Sequence, residues 1–262
     1  MDYLIVGLVA FLASGLTLYS GFGLGTVLLP AFAIFFPVPI AVAATGTVHL
    51  LNNIFKGGLL HRQADWRMVA RFGLPAIPAA VFGAWLLVEL GGTPRLFAWE
   101  AFGHTFGPTG AGVTIGALMI VFAVLELQPW FQRLAAPPRL LPLGGALTGF
   151  IGGLTGQQGA FRAMFLIKSG LDPARFIATG VFIAVLIDVS RLPTYATGLR
   201  TAQDGLGGHG WALVTVGTLC AFAGAFLGVR YLKKATIGVI RSIVAMVMLL
   251  VGSAVLTGVL GS

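Results

Sequence analysis

Apolar runs follow one another from residue 3 to residue 260, and the cations collect in the short loops between them. Hydrocarbon offers no partner for a backbone N–H or C=O, so runs of this kind satisfy themselves internally as helices. A bilayer-crossing helix takes about 20 residues, which leaves room for roughly eight to ten segments in a chain of this length. The chain is 57% hydrophobic and 9% charged, where a soluble domain carries about 25% charged residues. The fold class that follows is all-α: a polytopic membrane protein with little chain left for a soluble domain.

The charges give an orientation. Arg62, Arg67 and Arg71 face only Asp65 in the loop at 61–71, and Arg133 and Arg139 stand without an acid at 128–139. Short loops rich in Arg and Lys stay on the cytoplasmic side. The polar, aromatic stretch 91–110 and the glycine-rich stretch 198–210 then fall outside, and Arg230, Lys233 and Lys234 form a third cytoplasmic cluster. Both termini are predicted outside, and the location is the cytoplasmic (inner) membrane, multi-pass. The net charge of +8 is thus loop charge facing a lipid bilayer, not a nucleic-acid surface. Residues 1–6 lack a basic leader and do not read as a cleavable signal peptide. Cys220 is the only cysteine, so there is no disulfide framework or thiolate metal site; it reads as a small packing residue.

Two interruptions sit inside the apolar runs. One is Tyr19-Ser20-Gly21-Phe22-Gly23-Leu24-Gly25. The other is Gly152-Gly153-Leu154-Thr155-Gly156-Gln157-Gln158-Gly159-Ala160-Phe161-Arg162. Each is followed by a segment too short to span, ended by Pro37-Val38-Pro39 and by Leu171-Asp172-Pro173. Shifting the chain by 134 residues lays Gly15 on Gly149, Gly25 on Gly159, Pro39 on Pro173 and Ala44-Thr45-Gly46 on Ala178-Thr179-Gly180. This predicts a first transmembrane repeat at 1–127, a cytoplasmic linker at 128–140 and a second repeat at 141–262. Each repeat has five segments, so the copies are predicted to be inverted, with short or broken helices at the midplane. Matched interruptions in inverted repeats point to a binding site there. The glycines at the two breaks can also be explained by close helix packing, as scattered ones such as Gly144 and Gly224 are.

Polar side chains inside apolar runs are costly and usually serve function. Arg162 lies about one turn past the second break, where a guanidinium can grip an anion in two-pronged fashion or form a structural bridge. Gln157, Gln158, Gly159 and Gly25 provide amides at the breaks. His49, Asn52, Asn53 and Lys56 share a face at spacings of three and four; the asparagines can bind substrate or glue helices together. Asp188 and Arg191 are three apart on one face and are expected to pair. Together with His49 and Lys56 they are candidates for gating or proton coupling. Thr45 and Thr179, at matched positions, join Arg162, Gln157, Gln158, Asn52, Asn53, Gly25 and Gly159 as candidate substrate-binding residues. No His, Cys and carboxylate group has metal-ligand spacing, and no cofactor is expected.

At these residues the chain resembles the sulfite exporter TauE/SafE family of membrane transporters. The resemblance is carried by Ser20-Gly21-Phe22-Gly23-Leu24-Gly25 with Val27-Leu28-Leu29-Pro30, by Ala43-Ala44-Thr45-Gly46-Thr47 and Asn52-Asn53, by Gly149-Phe150-Ile151-Gly152-Gly153-Leu154-Thr155-Gly156, and by Ala178-Thr179-Gly180. Gln157-Gln158 and Arg162 depart from the family's glycine-rich pattern. The resemblance implies export of a small anion, sulfite or an organosulfonate such as sulfoacetate, by a two-repeat secondary transporter. Proton coupling and a homodimer are compatible with it. A passive anion channel, or uptake of another small organic anion, remains open at this point. A membrane-embedded enzyme needs an acid/base pair or nucleophile at the interface, and His61-Arg62-Gln63-Ala64-Asp65 is the only candidate.

Overall fold

A computed structural model describes residues 1–20, 24–101, 103–231 and 237–261. Gly21, Phe22 and Gly23 of the first interruption, and Lys233 and Lys234 of the third basic cluster, lie outside the described residues. The helices are α1 (Asp2–Ser20), α2 (Leu24–Ala33), α3 (Val38–Leu60), α4 (Trp66–Gly91) and α5 (Gly110–Leu127). A short α6 (Pro129–Gln132) leads to α7 (Leu141–Thr155), α8 (Gly159–Leu166), α9 (Pro173–Gly198), α10 (Arg200–Tyr231) and α11 (Ile237–Leu256).

Local chemistry sets several boundaries. Asp65 caps α4 by accepting from the Met68 amide at 3.0 Å, and Thr109 caps α5 through the Gly112 amide at 3.1 Å. Asp172 accepts from the amides of Ala174 and Arg175 at 3.0 Å, with Pro173 as the first helical residue of α9. Side-chain caps of this kind satisfy donors that the helix itself leaves orphaned. Helix α7 stops at Gly156, whose φ of 78° is left-handed; its amide donates back to the Gly152 carbonyl at 2.9 Å. Glycine takes that conformation without a Cβ clash.

The second interruption is narrower than the glycine spacing predicts. Gly152 and Gly153 are still helical, and only residues 156–158 are not. The stretch 91–110 holds an antiparallel hairpin, β1 (Trp99–Ala101) and β2 (His104–Phe106), tied to the end of α11 by the Trp99 indole donating to the Thr257 carbonyl at 2.8 Å. The stretch 198–210, read as a loop, is largely helical and is interrupted at Gly207, where φ is 50°.

The helices pair across the chain. α1 packs on α10, α4 on α7, α5 on α11 and α3 on α9; α4 also meets α9, and α10 meets α3. In lipid the hydrophobic effect does not drive helices together, so close backbone approach has to. The α4–α7 seam shows how: Gly145, Gly149 and Gly153 lie against the backbones of Phe72, Ala76 and Ala80, one contact per turn. Gly224 and Gly228 of α10 lie likewise against Phe11 and Gly15 of α1. Large apolar side chains face outward: Leu4, Leu8 and Leu12 on α1, Leu74, Phe82 and Trp85 on α4, and Ile243, Met246 and Leu250 on α11. Among the described residues five helices are long and apolar enough to cross a membrane. A bilayer is the solvent that such a surface fits.

Helices α7 and α8 form a hairpin that turns back on itself. A Cβ on Gly144, at the start of α7, would collide with the Phe165 ring near the end of α8, while Gly152 near the tip meets Gln158. The Ala136 amide donates to the Met164 carbonyl at 3.0 Å, so the chain before α7 and the chain at the end of α8 lie side by side. Helices α1 and α2 also pack on each other.

Candidate functional site

The start of α2 meets the turn between α7 and α8. A Cβ built on Gly25 would lie 2.6 Å from the Gly156 carbonyl oxygen and 3.8 Å from Thr45 Cγ2. Gly25, Thr45 and the turn before Gly159 are therefore neighbours, although they come from α2, α3 and the connection between α7 and α8. Thr45 is fully buried, and its hydroxyl has no partner among the described residues. Thr179, its counterpart in the sequence shift, is placed elsewhere: its hydroxyl accepts from the Asp65 amide at 3.0 Å, at the junction of α9 with the loop before α4. Arg175 reaches the same Asp65 at 3.2 Å.

Beside this meeting point runs a buried polar network between α3 and α9. Asp188 and Arg191 are both 0% exposed. Arg191 Nε donates to Asp188 Oδ1 at 2.9 Å, and its Nη2 lies 2.8 Å from the same oxygen, close enough for the ion pair but not aligned as a second hydrogen bond. The other Asp188 oxygen meets His49 Nδ1 at 2.5 Å, and Gln158 donates to Oδ1 at 3.1 Å. Gln158 in turn accepts from Arg162 at a long 3.4 Å. Asn53 donates to the His49 carbonyl at 2.9 Å and lies against the ring of that histidine.

Arg191 also explains how α7 can end inside the protein. The last carbonyls of a helix lack intrahelical partners and carry the negative end of its dipole. Arg191 Nη1 donates to the Gly152 carbonyl at 3.0 Å, and to the Tyr195 hydroxyl at 3.3 Å, which itself donates to the Gly153 carbonyl. Glycine at 46 and 156 makes room for the guanidinium: a Cβ would stand 3.0 Å from Nη2 and 3.3 Å from Nη1, respectively. Gly180 does the same for Arg162, whose Nε lies 3.3 Å from the position of a Cβ there. The matched Thr-Gly pairs thus each leave space for an arginine, one from α9 and one from α8.

On the far face of α3, Lys56 is buried and donates to the Ser14 carbonyl at 3.3 Å. With the Asn52 amide turned to suit its neighbours, its oxygen accepts from Lys56 at 3.0 Å and its nitrogen donates to the Ala221 carbonyl at 3.3 Å. Asn52 thereby links α3 to α1 and α10.

The two glutamines of the turn before α8 have different surroundings. Gln157 is 5% exposed, and neither of its side-chain atoms has a partner among the described residues. It lines a cavity of about 20 Å³ with Thr26, Phe122, Glu126, Phe131 and Phe161. A larger, apolar cavity of about 150 Å³ lies between α3, α9 and α10, lined by Ala43, Thr47, Leu192, Tyr195 and Trp211 among others. Tyr195 connects its floor to Arg191.

Ser14 and Glu126 belong to these surroundings and were not singled out from the sequence. A search for every acid inside an apolar run finds Glu126; Ser14 carries no such signal. Among the described residues no three His, Cys, Asp or Glu side chains gather as metal ligands do.

The family model for the sulfite exporter TauE/SafE matches residues 3–255, nearly the whole chain. No protein of curated function and no solved structure matches.

Proposed function

The chain belongs to the sulfite exporter TauE/SafE family, and from that premise we propose that it exports sulfite or a small organosulfonate such as sulfoacetate in a proton-coupled cycle. Family members are membrane transporters of sulfur anions and not enzymes. The observation that carries the finer reading is the state of Arg162. Arg191 is consumed by Asp188 and by the carbonyl end of α7. Arg162 is half-buried one turn into α8, against Gly180, and its one hydrogen bond is the long contact to Gln158. Its remaining N–H groups are free to take an oxyanion in a forked grip.

Around this anchor the other roles follow. Gln158 couples Arg162 to Asp188, and His49 sits on the opposite carboxylate oxygen. A proton shared between His49 and Asp188 changes the charge that Arg162 senses through Gln158, which is the coupling. Gly25, Thr45 and Gly159 bring the start of α2 and the α7–α8 turn close to the anion. The apolar cavity at Tyr195 serves as the outer vestibule. Export runs from the side of the linker 128–139 to the side of that cavity.

The two halves are proposed to be inverted copies. This is supported by their packing: α1 on α10 is matched by α7 on α4, α4 on α9 by α10 on α3, and α1 with α2 by α7 with α8. Exchange of the halves leaves this set of partners unchanged.

The test is sulfite flux in proteoliposomes under a pH gradient, with Arg162→Ala and a thermal-unfolding control for folding. The expected result is saturable, gradient-driven flux in the parent, with affinity at least about tenfold weaker in the variant, as loss of a charge-assisted contact predicts. Full flux and affinity in Arg162→Ala overturns the anion-site assignment. Flux that is non-saturable and indifferent to the gradient replaces the transporter with a passive channel.

A further inference from the structure

We propose that the apolar cavity between α3, α9 and α10 holds the acyl chain of a membrane phospholipid, which enters sideways along an open face of α3. The site stands on the shape and lining of this groove and does not need the transport reading above.

Helix α3 is flanked by two helices that leave one of its faces uncovered. On one flank Gly46 lies against Arg191 and Leu192, and Gly57 against Val181 and Phe182, all of α9. On the other flank Val48 lies against Gly217, and Phe55 stacks on Phe222 at 4.8 Å, both of α10. Between the flanks Ala43, Thr47, Leu51 and Ile54 follow one another at helical spacings of three and four and share a face. Ala43 and Thr47 line the cavity, while Leu51 and Ile54 are exposed. On α9 the same holds: Leu192 lines the cavity, and Val189, one turn earlier, is exposed. The cavity is thus the continuation, between helices, of the outward apolar surface that the bilayer covers. From Ile40 to Leu51 this face rises about 16 Å, roughly the hydrocarbon depth of one leaflet.

The lining favours hydrocarbon over water or an anion. The Thr47 hydroxyl donates to the Ala43 carbonyl at 3.0 Å, and the Tyr195 hydroxyl donates to the Gly153 carbonyl. The remaining lining side chains are Ile, Ala, Leu, Val and Trp. Buried water needs about two to four polar partners, whereas apolar cavities stay dry and take hydrocarbon. At about 150 Å³ the cavity has room for the end of a chain. Left empty, it forfeits packing contacts for every side chain around it. An acyl chain supplies those contacts and is the hydrocarbon at hand. Trp211 stands half exposed at the mouth, as an indole does near the headgroups. Within the transport reading, the chain closes the vestibule in front of Tyr195 and withdraws before an anion passes.

Trp211 is the reporter, in the full chain carrying Trp66→Phe, Trp85→Phe, Trp99→Phe and Trp130→Phe. In detergent, phosphatidylcholine brominated near its chain ends is added in rising proportion, and Trp211 fluorescence is followed. Quenching is expected to saturate while lipid is still below about a tenth of the micelle. That marks a site preferred at least about tenfold over bulk exchange, in keeping with the cost of leaving such a cavity empty. Ala43→Leu and Ala196→Leu fill the cavity and are expected to raise the lipid proportion at half quenching at least about tenfold. Leu250→Ala, on the outward surface of α11, is expected to leave it unchanged. Quenching that climbs in proportion to lipid up to full exchange overturns the proposal, as does an unchanged curve in the filled variants. The shape of the curve with the cavity unfilled is decisive by itself, so the test holds even where a filled variant fails to fold. In bilayers, quenching by acrylamide and not by the brominated lipid makes the cavity a water-filled vestibule and overturns the proposal. Protection of Trp211 that grows with protein concentration makes it a contact with a second copy and does the same. None of these readouts involves anion flux, so the transport reading stands or falls separately.

Discussion

Asp188→Asn is the most informative single change. Asp188 is fully buried and its two oxygens serve Arg191, His49 and Gln158 at 2.5–3.1 Å. Asparagine keeps the shape but removes the charge, and it turns one acceptor into a donor facing donors. Arg191 then stays at 0% exposure with only carbonyl and hydroxyl partners. Breaking a buried pair by removing one partner costs about 3–5 kcal/mol, because the remaining charge is left uncompensated. Replacing both partners with uncharged groups of similar size is often close to neutral. The measurement is the unfolding free energy of the purified protein in a fixed detergent or bicelle, for Asp188→Asn, Arg191→Gln and the two together. The expected outcome is a loss of about 3–5 kcal/mol in the first and a double variant less destabilised than the sum of the singles. Arg191→Gln also frees the Gly152 carbonyl, so the double variant does not return fully to the parent. An unchanged stability in Asp188→Asn, or strict additivity in the double variant, refutes the view that this pair holds the ends of α7 and α9 together. In transport, the same variant is expected to abolish the response to a pH gradient; unchanged pH-driven flux removes Asp188 from the coupling role.

Gly149→Ala places a methyl group against the Ala76 backbone, which cannot step aside, so α4 and α7 must part; about 1–3 kcal/mol of stability is expected to be lost. Gly58→Ala is the control, since nothing lies within 4 Å of its Cβ position, and its unfolding is expected to shift by less than about 0.5 kcal/mol or towards greater stability. Asp65→Ala removes the cap of α4 and should cost about 1 kcal/mol, whereas Arg175→Ala, 51% exposed, should cost far less; equal losses in thermal unfolding would mean that the ion pair rather than the cap matters. Single cysteines at Ser169 and in the 128–139 linker, made after replacing Cys220, are expected to label from the same side of the membrane because the α7–α8 hairpin turns back; labelling from opposite sides rules that hairpin out.

Much of this protein is legible along the chain because the bilayer imposes a simple local rule. Any run of about 20 apolar residues must satisfy its own backbone, so the sequence alone establishes the helical class, most helices and the two interruptions. The i,i+3 spacing of Asp188 and Arg191 likewise places them on one face without further information, and the structure pairs them. The stretch 91–110 escaped because its strands are only three residues long, too short for alternation to register.

The site depended on the tertiary structure. Gln157 and Gln158 are adjacent in sequence, yet in the non-helical turn before α8 one of them reaches Asp188 and the other lines the cavity beside Glu126. Arg162 and Arg191 look alike in the sequence as arginines within apolar runs; only the fold shows one held by α7 and Asp188 and the other with a single long hydrogen bond to Gln158. Thr45 and Thr179 occupy matched positions, but the loop before α4 reaches Thr179 alone among the described residues. The sequence by itself determined that this chain lives in a membrane as interrupted helices, since that follows from the hydropathy of each run taken separately. Which helices touch, and hence which arginine keeps few protein partners, was decided by backbone contacts between segments far apart in the chain, such as Gly149 on Ala76 and Gly228 on Gly15. No local pattern encodes those approaches, because a small residue permits close packing without naming its partner.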